Sequence, residues 1–96
     1  MDKIYTIHTI RTALGGADSR TPGWYTTLEQ AQGVVDNNIG DIWEFAYRWV
    51  VIEEIPSGLY PYPTREWWYR WNEGKQQYLP HKKPDHFHNS VNFAIG

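Results

Sequence analysis

The sequence predicts an α+β domain: an antiparallel sheet of about four to five strands with one helix packed on one face. Strand character marks Lys3 to Arg11, Tyr47 to Ile55 and Glu66 to Trp71, while helical spacing appears once, after Thr27. The order of strand, short strand, helix, strand, hairpin and tail suits one sheet carrying one helix.

Lys3 to Arg11 alternates β-branched or aromatic residues with polar ones, the period-two pattern of a half-buried strand. Thr12 to Pro22 collects Gly, Ala, Asp, Ser and Pro and reads as a loop or wide turn, after which Gly23-Trp24-Tyr25 resumes an extended stretch. Thr27 and Gln30 stand in capping-box relation, and Leu28, Ala31, Val34 and Val35 recur at helical spacing. A helix from Leu28 to about Asn38 follows, ended by Asn37, Asn38 and Gly40, which tolerate the left-handed conformation. Gly33 within it is expected to mark close packing on the sheet.

Tyr47 to Ile55, bounded by Pro56-Ser57-Gly58, is the expected central strand. Pro61 and Pro63 force an extended connection. Glu66 to Trp71 sets Trp67, Tyr69 and Trp71 on one face and Glu66, Trp68 and Arg70 on the other. Asn72-Glu73-Gly74-Lys75 reads as a hairpin turn with Gly74 supplying positive φ, and Gln76 to Leu79 as its return strand. Val91 to Ile95 is a candidate last edge strand. One helix leaves the second sheet face to solvent, to the tail or to another subunit.

Residues 1–96 form a single domain at this length. Such a chain buries only roughly 60–65% of its unfolded surface, so aromatic residues, 17% of the sequence, are expected mainly in the core. Absence of cysteine removes disulfides, thiolate nucleophiles and Cys-based zinc sites. The longest purely apolar run is Trp49 to Ile52, so neither a signal peptide nor a membrane span is expected, and the location is expected to be cytoplasmic. A net charge of −2 argues against binding of long nucleic acid, while a few local cations suffice for a small anion.

His86 and His88, with His81 and Asp85 nearby, lack a clear third ligand and read as surface histidines, so no metal and no cofactor is expected. Glu53, Glu54 and His8 are the groups suited to acid–base work, but adjacent residues on a strand face opposite ways and the glutamates cannot pair. One is expected on the helix side, ion-paired, and the other facing out. Nucleophile, phosphate-loop and dinucleotide motifs are absent. Gly15-Gly16 before Arg20 suits a flexible loop as well as an anion nest. Trp68 and Arg70 on one face, with Arg48 beside Trp49, suit a nucleotide, because aromatic planes stack on bases and guanidinium groups take phosphate oxygens. They also suit a protein partner, and taken alone the feature favours a homo-oligomer interface over a ligand site.

From Gly23-Trp24-Tyr25-Thr26-Thr27-Leu28-Glu29-Gln30-Ala31 through Asp41-Ile42-Trp43-Glu44, Val51 to Pro61, Glu66-Trp67-Trp68-Tyr69-Arg70-Trp71-Asn72 and Asn92-Phe93-Ala94-Ile95-Gly96, about four fifths of the chain resembles a group of short proteins of bacteriophages, prophages and Firmicutes. No catalytic motif is established for that group. Phage proteins of this size include anti-defence sponges that oligomerise and sequester the cyclic nucleotide or cyclic ADP-ribose signals of CBASS and Thoeris immunity. The resemblance therefore implies a phage-type anti-defence protein, acting in the host cytosol as a homo-oligomer, that holds a small nucleotide-like signal without cleaving it. In that reading Arg11, Arg20 or the pair Lys82 and Lys83 meet phosphates, Trp68 or Trp24 stacks on a base with Arg70 on the same face, and Asn89 or Asn92 reads base edges. The alternatives are a protein-binding inhibitor or scaffold that uses the aromatic face, and a small hydrolase or nuclease that uses His8, His86 or Glu53.

Overall fold

The computed structural model describes residues 3–11, 19–87 and 93–94, apart from the His86 side chain. Within them five strands form one antiparallel sheet: β1 (Lys3–Ile10), β2 (Ser19–Tyr25), β3 (Trp49–Pro56), β4 (Arg65–Asn72) and β5 (Gln77–Pro80). Their spatial order is β2-β1-β3-β4-β5, and one α-helix, α1 (Leu28–Asp36), covers one face. The α+β architecture expected from the sequence is the one observed.

Several boundaries differ from the expected ones for local reasons. β2 begins four residues before Gly23, because Ser19 and Arg20 pair with Ile10 and Thr9 and a bulge absorbs the shift in register. The helix starts as expected: Thr27 is extended, its hydroxyl oxygen accepts from the Gln30 N–H at 3.3 Å, and its O–H donates to Gln30 Oε1 at 3.0 Å. It ends at Asp36, where the N–H and side-chain amide of Asn37 both donate to the Gly33 carbonyl at 3.1 and 2.8 Å and Asn38 turns to φ 47°. Close packing does not explain Gly33, since a Cβ there would meet nothing within 4 Å. β3 begins at Trp49, two residues later than expected: the Tyr47 carbonyl accepts from the Tyr78 hydroxyl, and the Trp71 N–H still donates to the Arg48 carbonyl at 2.9 Å.

In the β4–β5 turn the positive φ falls on Gln76 (54°) and not on Gly74. Asn72 Oδ1 closes that turn by accepting the Lys75 N–H at 2.8 Å, and the Gln76 amide donates to the Glu73 carbonyl at 2.7 Å. Of the candidate last strand, Phe93 and Ala94 form a bend, and residues 91, 92 and 95 lie outside the described residues.

Alternation along the strands sorts the core into two layers. On the helix side Tyr5, Ile7, Val50, Ile52, Tyr69, Trp71 and Tyr78 pack with Ala31 and Val35 of α1. Full burial of one such Ile or Val stabilises the fold by roughly 1.5–3 kcal/mol. The opposite face carries Ile10, Val51 and Trp68, and Phe87 and Phe93 from beyond β5 cover them. Of the three fates open to that face, the chain's own C-terminal part supplies the cover here.

The two glutamates of β3 divide between these layers. Glu54 lies on the helix side beside Arg65 and Lys3, at 3.5 and 3.4 Å. Glu53, on the opposite face, does not face out as expected for the second glutamate: it is fully buried, and its two carboxylate oxygens each accept a backbone N–H, from Phe93 and Ala94, at 3.1 Å.

Candidate functional site

β4 enters the sheet from the Pro-rich connection at a fixed point. Thr64 donates its N–H to the Glu54 carbonyl at 2.9 Å and its hydroxyl to Glu54 Oε1 at 2.5 Å. The Thr64 hydroxyl is the main reason the Glu54 carboxyl is held down to about 2; burial opposes it, and the Tyr5 hydroxyl and Lys3 act with Thr64. This anchor sets Arg65 and Glu66 at the start of the strand. Beyond β5, the His81 N–H donates to the Trp68 carbonyl at 2.9 Å, which lays His81, Lys82 and Lys83 alongside the same part of β4.

Between these two stretches lies an open groove of about 530 Å³, lined by Pro63, Thr64, Arg65, Glu66, Trp68, His81, Lys82 and Lys83. Lys82, Lys83 and His81 share it with one carboxylate, while the Arg65 guanidinium turns to Glu54 at 3.5 Å and to the Trp67 ring at 4.8 Å. Glu66 Oε1 accepts from Trp68 Nε1 and pairs with Lys83 Nζ, both at 3.2 Å, and Lys83 lies 6.0 Å from the centre of the Trp68 ring. Glu66 Oε2 is buried with no hydrogen-bond partner, so this wall of the groove holds an unmet acceptor. The exposed Lys82 makes no ion pair within 4.0 Å among the described residues. Such a groove has the volume and cation density for an anion of nucleotide size.

Of the residues proposed from sequence, the groove gathers Trp68, Lys82 and Lys83. Trp68 is 6% exposed; Phe87 stacks on its ring at 5.3 Å and 20°, and Phe93 meets it edge-on at 5.5 Å. Its ring is thus packed from within the chain, the cover by the tail that was one of the three possibilities for this face. Arg70 is exposed one strand step further on, with its guanidinium 5.5 Å from the Trp49 ring centre.

Arg11, Arg20 and Trp24 lie on the far side of the sheet. Arg20 and Trp24 are on β2, three strands from β4 or about 14 Å at ~4.8 Å per strand, and Arg11 follows Ile10, which is level with Trp49 and Arg70 and not with the groove end of β4, so a compact ligand in the groove does not reach them on the same chain. Arg20 is ion-paired with Glu44 and stacks over Tyr47 at 5.2 Å; Arg11 is exposed at the end of β1 and engaged within the chain; Trp24 is 58% exposed opposite Thr6. Asn89, Asn92, His88 and the Gly15-Gly16 pair lie outside the described residues.

Arg65 and His81 are groove residues that the sequence did not single out as ligand contacts. A cation flanking the aromatic strand was the available signal for Arg65; His81 offered none without the β4–β5 register. His8 is buried, its Nδ1 2.8 Å from Thr21 Oγ1 and its ring 5.7 Å from that of Phe93. Burial lowers its pKa to about 4, which keeps the imidazole neutral near pH 7. Among the described residues no three His, Asp or Glu side chains cluster as metal ligands, and no helix is long and apolar enough to cross a membrane. No protein-family model, curated protein or solved structure matches the chain.

Proposed function

We propose that the domain binds a small nucleotide-like anion in the groove between the start of β4 and the segment after β5, and holds it without cleaving it. The observation that carries this reading is the convergence of Lys82, Lys83 and His81 on one groove in a chain whose net charge is −2. Phosphoryl oxygens meet the cations, with Lys82 the primary contact because Arg65 and Lys83 also serve Glu54 and Glu66. Together with the resemblance to small phage proteins, this supports sequestration of a cyclic nucleotide-like immune signal by an oligomer of this chain.

Native mass spectrometry of the purified protein with cyclic dinucleotides, cyclic trinucleotides and cyclic ADP-ribose isomers tests it. Retention of one of these, recovered intact after denaturation and weakened by Lys82→Glu, is the expected result. Absence of binding across the panel, or recovery of cleaved ligand, refutes it.

A second reading, a protein-binding inhibitor or scaffold, is favoured by the β3–β4 connection. Leu59, Tyr60 and Tyr62 are 86%, 76% and 69% exposed there, a concentration of apolar surface typical of protein contacts. Its test is a pull-down from host lysate in which Tyr60→Ser and Leu59→Ser abolish capture of one specific protein.

A further inference from the structure

The β2 edge of the sheet carries a cavity of its own, and the bulge in β2 decides what lines it. On β1, Ile7 and Thr9 are two residues apart and face the helix side, opposite Ile52 and Val50 of β3; their partners on β2, Gly23 and Arg20, are three apart. The bulge takes up the extra residue, so Arg20 emerges on the helix side in one row with Gly23 and Tyr25. Regular alternation would have turned Arg20 to the other face.

Gly23 leaves a gap in that row. It stands opposite Ile7 of the core layer, and a Cβ there would meet nothing within 4 Å. Across the gap, in the turn Ile39–Asp41 that follows α1, Gly40 has φ 66°, and a Cβ there would also meet nothing within 4 Å. Both glycines line a cavity of about 270 Å³, with apolar walls from Ile7, Tyr25, Val34 and Ile42. Ile39, 54% exposed, and Arg20 line it as well and lead to solvent.

Size and charge define what the cavity takes. An apolar cavity of about 150 Å³ already holds benzene, so this one has room for one or two fused rings or a chain of similar bulk. Such a body also covers Ile39, apolar surface otherwise left to water. Arg20 is the one charged residue among the described lining residues. It pairs with Glu44, but both partners are about half exposed, and an exposed pair of this kind is weak. The head group that suits this wall is therefore a carboxylate, which a guanidinium binds through paired N–H donors.

We infer that the cavity between β2, α1 and the turn after α1 binds a small apolar carboxylate, with its ring or chain in the gap left by Gly23 and its carboxylate on Arg20 in place of Glu44. The site stands independently of the groove, which lies three strands away on β4.

Methyl-resolved NMR titration of the full chain with 1-naphthylacetate and its neutral isostere 1-naphthylacetamide tests it. The expected result is saturable shifts at the methyl groups of Ile7, Val34, Ile39 and Ile42, with affinity about tenfold higher for the acid, the gain from one charge-assisted contact. Gly23→Val, which sets a side chain in the gap at a strand position that accepts β-branching, removes binding of both probes and keeps or raises Tm. Arg20→Gln, at an exposed position, makes the two affinities equal, and Glu44→Gln, which frees the guanidinium, raises that of the acid. No shift at those methyl groups, equal affinity for the two probes in the wild type, or binding that survives Gly23→Val overturns the inference.

Discussion

Replacement of Glu53 by Gln isolates the contact that fastens the C-terminal part of the chain to the sheet. In the wild type both carboxylate oxygens accept backbone N–H groups, from Phe93 and Ala94, in a fully buried setting. A Gln side chain of the same shape offers one oxygen and one NH2, so one backbone N–H keeps a neutral acceptor and the other faces a donor. Loss of a charge-assisted bond with a buried partner left unmet costs about 1.5–3 kcal/mol. Against this, Glu53 stands directly opposite Glu66 on β4, and removing one of two facing like charges returns about 0.2–1 kcal/mol. The net destabilisation is about 1–2 kcal/mol. For a domain of this size that lowers Tm by roughly 5–15 °C. Thermal unfolding by circular dichroism measures it, and amide hydrogen exchange locates it, with Phe93 and Ala94 losing protection first. A Tm within 2 °C of the wild type, with those two amides still protected, refutes the reasoning.

Three further outcomes follow from groups already placed. The Glu54 carboxyl is held down to about 2 from 4.5, so its contribution is complete above pH ~4.5 and disappears as pH falls toward 2; denaturant unfolding between pH 7 and 2.5 should show a steeper acid loss in the wild type than in Glu54→Gln. Burial lowers the His8 pKa from 6.5 to about 4, so the stability tied to its neutral form is complete above 6.5 and fades as pH falls toward 4. Proton NMR titration should place its midpoint near 4, and a midpoint near 6.5 contradicts the burial. Gly33→Ala should raise stability by about 0.5–1 kcal/mol, since the position is helical and open; a loss measured by urea denaturation would mean that the site is constrained.

The strands were legible where side-chain chemistry repeats locally. Glu66 to Trp71 announces its two faces through alternation, and Thr27 with Gln30 announces the helix start. Contacts between residues far apart in sequence left no such trace. Glu53 meets Phe93 and Ala94 across some forty residues of chain, and nothing in the composition of either segment signals that pairing. The groove was half visible: Lys82 and Lys83 stood out as a basic pair and Trp68 as an aromatic on the second face. Their meeting depends on the His81 N–H reaching the Trp68 carbonyl, a matter of register. Phe87 and Phe93 carry no periodic pattern, so the cover over Trp68 was one of three options and not a deduction.

The two outer strands of the sheet have a consequence for self-association. An open sheet offers unpaired backbone groups at each edge, and a second copy can extend the ladder there without limit. Here β2 interrupts its edge with the bulge around Thr21 and with Pro22, which has no N–H to give, and β5 is four residues long and ends in Pro80. Both rims are poor templates for fibrillar growth. Ladder extension by a second copy is thus disfavoured at both rims, and the exposed apolar side chains of the β3–β4 connection lie away from them.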